Sequence, residues 1–283
     1  MPSVLLADSG STKTDWCFLK RGAEPTFFKT SGINPYLQTP ENIASLLREE
    51  LPKTAIDLSP KEIHFYGAGA GNVQKQGEVS AALEEVFKVR KVKVQGDMMA
   101  AARALCGEGK GVVSILGTGS NSCYYNGKAI KDQHASLGYI AGDEGSGNHM
   151  GKRVLQHYAY HTFDAELNAD FELHWGTDLA AITHQLYREP FPNRRLAGFV
   201  SLLARNRGHF MVENIIEDCL SDFFGMHIMK YRQSWKHPLY FTGSVAWEFR
   251  DVIESLCNQS ELELGGIVQS PLDGLVKWHK KAM

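Results

Sequence analysis

The chain has 283 residues, of which 43% are hydrophobic and 22% charged, and its formal net charge is −2. A chain of this length can bury a large core and is expected to form two domains. The near-neutral charge gives no sign of nucleic-acid binding, no apolar run is long enough to cross a bilayer, and the N-terminus lacks the apolar core of a signal peptide. Five scattered cysteines without a C-x-x-C pair indicate free thiols. We therefore expect a cytoplasmic protein that binds neither nucleic acid nor membranes.

The first part of the chain predicts an α/β domain. Strand and helix patterns follow in the order β-β-β-α-β-α-β-α, which is typical of a mixed sheet with crossover helices. A basic run at 88–93 reads as a helix end that enters a strand and faces solvent. The predicted elements are strands at 3–8, 14–20 and 27–31, a helix that begins at Pro40, a strand at 63–66, a helix at 79–86, a strand at 92–94 and a helix at 97–104.

The second part of the chain begins with two more strands and then becomes helical. A turn at Asn126-Gly127 follows those strands, and Pro271 marks the start of the last helix. The predicted elements are strands at 112–116 and 121–125, an almost wholly helical segment at 149–233, a strand at 239–241, a helix at 245–257 and a helix from Pro271 onward.

One strand–turn–strand design occurs twice in the chain. An apolar strand, a turn of small residues and a second strand follow one another from Val4 to Asp15, and again from Val112 to Ser122. Small side chains let backbone N–H groups approach an anion closely. We therefore expect both turns to bind one nucleotide polyphosphate.

The repeat predicts two similar domains. We place the first domain at 1–109, joined by the C-terminal helix at about 271–283, and the second at 110–270. Neither turn has the Gly-x-x-x-x-Gly-Lys-Ser/Thr pattern of a P-loop or the fingerprint of a Rossmann fold, so neither of those binding modes is predicted.

The first turn combines a carboxylate with small and hydroxyl-bearing residues. Asp8 lies at the end of a strand and precedes the segment Gly10-Ser11-Thr12-Lys13-Thr14. A carboxylate beside a phosphate requires a cation between them, so Asp8 is a candidate for Mg²⁺, directly or through water. A plain hairpin that uses Asp and Gly for its turn geometry is the alternative.

Three further carboxylates are candidates for chemistry. Asp97 lies between a strand and a helix, where it is either a helix N-cap or a general base for an attacking hydroxyl. Asp143 and Glu144 are flanked by glycines and can accept hydrogen bonds from sugar hydroxyls, or else form an acidic turn that caps the next helix. Asn34 either binds a substrate or forms an Asx turn before Pro35.

Together these segments resemble the actin-like ATPase superfamily of sugar kinases, Hsp70 and actin, and more narrowly the N-acetylglucosamine kinase family. The resemblance covers nearly the whole chain, although the helical segment 149–233 has no motif that can be transferred. Ser9 and Ser11 depart from the glycines of many relatives, but they are small enough not to block a phosphate. The matching motifs are Asp8–Thr14 and Gly117–Asn121 for phosphate, Gly96-Asp97 for the catalytic base, Gly142–Ser146 for the sugar, Thr242–Val245 for adenosine and Ser270–Gly274 before the last helix.

The resemblance implies two ribonuclease H-like domains around a cleft for ATP, Mg²⁺ and an amino sugar, with a large helical insertion in the second domain. It implies that Asp97 is the catalytic base for phosphorylation of the sugar's primary hydroxyl, and that Asp8 faces Mg²⁺. The implied nucleotide-binding residues are Asp8, Gly10, Ser11, Thr12, Lys13, Thr14, Gly117, Thr118, Gly119, Thr242, Gly243 and Ser244. The implied sugar-binding residues are Asn34, Gly69, Asp97, Ser120, Asn121, Asp143, Glu144 and Gly145.

Two other functions stay open. Iron–sulfur ATPase activators of acyl-CoA dehydratases belong to the same broad group, but neither Cys106 nor Cys123 lies in a loop suited to a shared cluster. A non-catalytic sugar sensor is the other alternative, against which the intact Asp8 and Asp97 argue. The sequence does not choose among N-acetylglucosamine, N-acetylmuramic acid, glucosamine and N-acetylmannosamine, and it leaves open a homodimer, since relatives are often dimers.

Overall fold

The computed structural model describes residues 3–51 and 59–282. The chain divides into two compact units. Unit 1 comprises Met1–Gly109, Gly127–Ala129 and Ser270–Met283, and unit 2 comprises Lys110–Asn126 and Ile130–Gln269. Among the helices of the described residues, none has both the length and the apolar character needed to span a membrane. The domain borders drawn from the sequence stay predictions.

The described residues form ten strands and thirteen α-helices. Two 3₁₀ turns, Ile228–Lys230 and Arg232–Trp235, follow the helix Phe210–Met226. In chain order the elements are β1 (Ser3–Ser9), β2 (Lys13–Lys20), β3 (Thr26–Ser31), α1 (Pro40–Glu50), β4 (Glu62–Gly67), α2 (Val73–Phe87), β5 (Val92–Gly96), α3 (Asp97–Cys106), β6 (Gly111–Leu116), β7 (Ser120–Tyr125), β8 (Ile130–Gln133), α4 (Gly138–Ala141), α5 (Gly147–Ala159), α6 (Ala165–Trp175), α7 (Leu179–Arg188), α8 (Pro192–Gly198), α9 (Val200–Arg205), α10 (Phe210–Met226), β9 (Leu239–Thr242), α11 (Ser244–Glu248), α12 (Arg250–Gln259), β10 (Leu264–Val268) and α13 (Leu272–Ala282).

Unit 1 is a mixed sheet with a hydrophobic core on each face. Its strand order is β3-β2-β1-β4-β5, with β1, β4 and β5 parallel. Side chains alternate across a strand, so Leu5 packs with Leu47 of α1 and Leu83 of α2, while Leu6 packs with Val276 of α13. Each of these leucines contributes roughly 1.5–3 kcal/mol by leaving water. The two-sided core explains why β1 is an almost continuous apolar run.

Unit 2 repeats this sheet and adds a helical segment. Its strand order is β10-β9-β6-β7-β8, with β6 parallel to β9 and antiparallel to β7. Helices α4–α10 lie in the chain between β8 and β9, and α5–α10 account for the helical segment predicted at 149–233. Side chains of Asp164 and Asp178 accept backbone N–H groups at the starts of α6 and α7, which satisfies donors that a helix cannot pair itself. The predicted α/β class is confirmed by the two mixed sheets.

The structure adds two strands to the predicted elements and divides one predicted helix. Strands β8 and β10 were not predicted, because β8 is short and polar and β10 contains Gly265-Gly266, which weakens a strand pattern. The position of a Cβ on Gly265 would lie 2.5 Å from the Tyr240 ring, so the glycine admits a close packing contact. The single helix predicted at 245–257 is instead two helices, α11 and α12, separated at the buried Phe249.

A close contact between α5 and α8 gives a test of this packing. A Cβ on Gly151 would lie 1.8 Å from the carbonyl oxygen of Leu196, whereas a Cβ on Gly225 of α10 would meet nothing within 4 Å. We expect Gly151→Ala to lower the free energy of unfolding by about 1–3 kcal/mol through overpacking. Gly225→Ala should raise it by up to about 1 kcal/mol through helix propensity. Urea unfolding of both variants checks this, and a Gly151→Ala protein as stable as wild type would contradict it.

Candidate functional site

Unit 1 brings three predicted site segments to one edge of its sheet. Asp8 lies near the carboxyl end of β1, Gly69 follows β4, and Asp97 follows β5 directly. Register pairs Ser9 with Gly67 and Gly67 with Gly96, so these three strand ends are level. The carboxyl edge of parallel strands is where open α/β sheets bind ligands.

The first turn is closed by its own backbone. The Gly10 N–H donates to the Lys13 carbonyl at 2.9 Å, and the Gly32 N–H donates to the Thr12 carbonyl at 3.0 Å. Ser11 is half-buried, while Thr12 and Lys13 are exposed. Thr14 is fully buried, and its hydroxyl lies 2.7 Å from the Ser9 hydroxyl. The Thr14 side chain therefore holds the turn together, and a phosphate contact for these residues stays a prediction.

Asp8 and Asp97 interact electrostatically in unit 1. Burial, and after it the carboxylates of Asp97 and Asp15, raise the pKa of Asp8 to about 7 against the opposing effect of Lys13. Burial also raises the pKa of Asp97 to about 6, although the Met98 N–H donates to the Asp97 carboxylate at 2.9 Å. The helix N-cap is Gly96 rather than Asp97. Asp97 is therefore a half-buried carboxylate with a basicity suited to accepting a proton near neutral pH.

Asn34 and Gly69 lie against each other in unit 1. The Asn34 Oδ1 accepts the Tyr36 N–H at 3.0 Å, so the predicted Asx turn is present. A Cβ on Gly69 would lie 2.4 Å from that same oxygen, and Gly69 has a φ of +78°. Only glycine fits both the space and the backbone conformation at this position. The Asx turn of Asn34 does not exclude a contact between Asn34 and a substrate, and that contact stays a prediction.

In unit 2 the second predicted phosphate turn packs on the start of α5. The Gly117 N–H donates to the Gly119 carbonyl at 3.0 Å, and the carbonyls of Gly117 and Thr118 accept from the N–H groups of Gly147 and Asn148. A Cβ on Gly119 would lie 2.8 Å from the Asp143 Oδ2. The structure therefore brings the Gly117–Gly119 turn and the Gly142–Ser146 segment together.

Asp143 and Glu144 do not cap the following helix, because Ser146 is the N-cap of α5. Burial raises the pKa of Asp143, against a hydrogen bond that its Oδ2 accepts from the Asn148 Nδ2 at 2.8 Å. Burial also raises the pKa of Glu144, but the hydrogen bond from His227 and other favourable contacts outweigh it, and the net pKa is lowered. Glu144 is therefore held ionised, as a hydrogen-bond acceptor for hydroxyl groups requires.

His227 belongs to a buried polar chain that sequence reasoning missed. Its Nε2 lies 3.1 Å from the Glu144 Oε2, and its Nδ1 lies 3.4 Å from the Ser122 hydroxyl. That hydroxyl lies 3.0 Å from the Tyr231 hydroxyl, which also accepts the His134 N–H at 3.2 Å. His227 and Tyr231 lie after α10 but within the helical segment 149–233, where no motif marked them.

The predicted adenosine loop lies beside the second phosphate turn in unit 2. Register pairs Thr242 with Ile115, and a Cβ on Gly243 would lie 2.2 Å from the Leu116 carbonyl oxygen. Ser244 is exposed at the start of α11. Within the described part of the chain, the buried hydroxyls of Thr242 and Ser120 have no hydrogen-bond partner. Because an unpaired buried hydroxyl is costly, these two atoms are suited to a ligand.

The remaining predicted sugar contacts also lie in this part of unit 2. Gly145 is buried, and its N–H donates to the His149 Nδ1 at 3.1 Å. The Asn121 Oδ1 accepts the Ser122 N–H at 2.9 Å and the Gln133 Nε2 at 3.3 Å. No group of three or more His, Cys, Asp or Glu side chains within residues 3–51 and 59–282 is arranged to hold a metal ion by itself.

Comparison with known proteins identifies the family. No protein-family model and no curated protein matches the chain. Among solved structures, it is similar to a protein of Porphyromonas gingivalis that carries the provisional name N-acetylglucosamine kinase, with 39% identity over 98% of this chain and 99% of that one, and a TM-score of 0.92. The chain belongs to the N-acetylglucosamine kinase family of actin-like ATPases.

Two more distant structures share the fold. A Chromobacterium violaceum protein of the same provisional name is 16% identical over 98% of this chain and 99% of that one, with a TM-score of 0.73. A ROK family glucokinase from Streptomyces griseus, in complex with glucose and AMPPNP, is 15% identical over 99% of this chain and 98% of that one, with a TM-score of 0.58. The predicted actin-like ATPase fold of the family is confirmed.

The raised pKa of Asp8 predicts a pH-dependent stability. A carboxyl whose pKa is about 7 when folded and 3.8 when unfolded stabilises the fold only while it is protonated, so its contribution is lost as pH rises between these values. Without nucleotide or metal, Asp8→Asn should therefore gain stability relative to wild type between pH 4 and pH 8, by up to about 4 kcal/mol. Urea unfolding at both pH values measures this, with Asp273→Asn, at an exposed aspartate of unit 1, as the control. If the stability difference between Asp8→Asn and wild type is the same at pH 4 and pH 8, the prediction is wrong.

Proposed function

We propose that the protein is an ATP-dependent kinase that phosphorylates the primary hydroxyl of an amino sugar, most simply N-acetylglucosamine or a related N-acetylhexosamine. The observation that carries this proposal is the pair of desolvated carboxylates in unit 1, Asp8 at the carboxyl end of β1 and Asp97 directly after β5, with only β4 between these strands. The family relationship to a protein provisionally named N-acetylglucosamine kinase supports the same substrate class.

Asp97 acts as the general base in this mechanism. Its carboxylate takes the proton of the sugar's primary hydroxyl as the hydroxyl oxygen bonds to the γ-phosphorus of ATP, and the bond from phosphorus to the β–γ bridging oxygen breaks to release ADP. A pKa of about 6 leaves Asp97 ionised at neutral pH, yet more basic than an ordinary aspartate. Phosphoryl transfer requires little beyond such a base, accurate positioning and neutralised charge.

Asp8 fits a Mg²⁺ ion that accompanies ATP. Its pKa of about 7 shows that the folded chain alone does not stabilise its negative charge, since burial and the carboxylates of Asp97 and Asp15 outweigh Lys13. A bound Mg²⁺ would supply the missing positive charge and would neutralise the triphosphate. Asp8 would hold it directly or through water, as a single carboxylate beside phosphate oxygens.

The backbone turns at Gly10–Thr14 and Gly117–Gly119 are proposed to bind phosphates, and Thr242–Ser244 to bind adenosine. The unpaired hydroxyl of Thr242 supports the adenosine assignment. The ionised Glu144 and its neighbour Asp143 are proposed to accept hydrogen bonds from sugar hydroxyls. Ser120, whose hydroxyl is unpaired, lies beside them, since its backbone hydrogen-bonds to Asp143. That both turns bind one nucleotide stays a prediction.

The cysteines argue against an iron–sulfur ATPase activator. Cys17, Cys123, Cys219 and Cys257 are buried. Burial raises the pKa of Cys106, and also those of Cys17, Cys219 and Cys257, to about 12. Cluster ligation requires accessible thiolates, so a colourless purified protein is expected.

A coupled ADP-release assay tests the proposed activity. The panel is N-acetylglucosamine, N-acetylmuramic acid, glucosamine and N-acetylmannosamine, each with ATP and Mg²⁺. Sugar-dependent ADP release with phosphate on the primary hydroxyl supports the kinase. Sugar binding without ADP release from any of the four would instead identify a sensor.

Asp97→Asn should lower kcat by at least ~10²-fold, the usual scale for loss of a general base, while sugar binding by calorimetry persists. The wild-type kcat/KM should rise with pH through about 6, because the base must be ionised to act. The control is Asp273→Asn, which should leave both the rate and its pH profile unchanged. Near-normal turnover of Asp97→Asn would remove Asp97 from the mechanism.

His227 is expected to act as a positioning residue for Glu144. His227→Phe removes the hydrogen bond to Glu144 and should raise the KM for the sugar about 10-fold or more, since a bond to a charged group is worth roughly 1.5–3 kcal/mol. The KM for ATP should not change. His227→Gln retains an N–H donor and should recover much of the loss. Equal effects of both substitutions on both KM values would instead indicate a general loss of structure.

A further inference from the structure

A cavity of about 610 Å³ lies at the open edge of the unit 1 sheet. Strand β5 is the edge strand there, and the lining includes neither Asp8 nor Asp97. Its volume falls in the range of small-molecule sites. The lining residues that bear on its chemistry are His64, Val92, Lys93, Gln95, Arg103 and Trp278.

Arg103 is a fixed cation in this cavity. Its Nη1 donates to the Tyr66 hydroxyl at 2.7 Å and to the Gln95 Oε1 at 2.6 Å, and its guanidinium lies 4.4 Å from the centroid of the Trp278 ring. Within the described residues, the structure pairs Arg103 with no carboxylate. A partly buried guanidinium is usually matched by an anion, so Arg103 lacks the partner that its environment favours.

Lys93 adds a second positive charge that the cavity does not fully neutralise. Its Nζ lies 2.9 Å from the Glu62 carboxylate, but Glu62 also pairs with Lys91 and contacts the His64 Nε2 at 2.8 Å. One carboxylate is thus shared by two lysines. With Arg103, the three cations and the single carboxylate leave a formal charge of +2.

Two histidines beside this cluster, His64 and His279, have lowered pKa values. Burial is the main cause that lowers the pKa of His279 to about 3, and His64, Arg103 and Lys93 contribute to this shift against Glu62. Burial also lowers the pKa of His64; Glu62 opposes this effect, while Lys93 and Arg103 reinforce it. The rings of the two histidines lie 4.4 Å apart, so both face the same cluster. Lys93 and Arg103 thus disfavour a further positive charge at both histidines, against the effect of Glu62.

We propose that this cavity binds a small organic phosphate whose dianionic group contacts Arg103 and Lys93. A phosphate dianion balances the formal charge of the cluster, and guanidinium and ammonium groups are its usual protein ligands. Trp278 and Val92 offer apolar contacts to the organic part of the molecule. This site is separate from the proposed kinase chemistry, because none of its lining residues is assigned to that chemistry.

The test uses ¹⁹F NMR of the protein labelled with 5-fluorotryptophan, with Trp278→Phe to assign the Trp278 resonance. Phenyl phosphate, inorganic phosphate and benzoate are each titrated to about 20 mM without ATP or sugar, where millimolar dissociation constants are measurable. Phenyl phosphate should shift the Trp278 resonance saturably and bind most tightly. Because the experiment requires no turnover, its result is independent of the proposed activity.

Lys93→Gln is the decisive variant, since Lys93 is largely exposed and its loss should not impair folding. We expect it to weaken phenyl phosphate binding about 10-fold, whereas Lys20→Gln, at an exposed lysine of β2, should have no effect. Unchanged binding by Lys93→Gln, or no saturable shift in wild type, overturns the proposal. If inorganic phosphate binds as tightly as phenyl phosphate, the claim that the site recognises an organic group is wrong. If benzoate binds as tightly as phenyl phosphate, the claim that the site requires a dianion is wrong.

Discussion

The desolvation of two half-buried carboxylates, Asp8 and Asp97, is the constraint on which the proposed chemistry of unit 1 depends. Asp8 lies near the carboxyl end of β1 and Asp97 directly follows β5, and the ends of these parallel strands are level, so the sheet brings both carboxylates to one edge. Burial raises both pKa values, to about 7 and about 6, which means that their ionisation opposes folding at neutral pH. Such an energetic cost is typical of residues that take part in function, since perturbed pKa values concentrate at functional sites.

In unit 2 the pKa values of two adjacent residues, Asp143 and Glu144, shift in opposite directions. Burial raises the pKa of Asp143, whereas the hydrogen bond from His227 contributes to lowering that of Glu144. Environments that separate the pKa values of neighbouring groups assign them different roles. Glu144 is the permanent acceptor, and Asp143, packed on Gly119, is the carboxyl closer to protonation.

Local patterns explain why so much of the fold could be predicted from the sequence. The strands β1 and β6 are apolar runs followed by small residues, and those features depend only on near neighbours in the chain. Strand β10 could not be predicted, because its Gly265 is explained by a distant Tyr240 ring. His227 and Tyr231 were missed for the same reason, since only their contacts with Glu144 and Ser122 identify them as part of the site.

The basic run at 88–93 shows how a correct local interpretation can be incomplete. It is a helix end that enters a strand, as predicted, and Lys91 and Lys93 are exposed. Their shared partner Glu62 belongs to another strand, so the excess of cations could not be counted from the run alone.

Helix α3 could account for Arg103 through its dipole, because cations stabilise the last turn of a helix by about 0.3–1 kcal/mol. A dipole does not, however, require a guanidinium stacked on Trp278 and bonded to Tyr66 and Gln95. Those contacts orient Arg103 at the cavity wall, and orientation is what a bound anion requires.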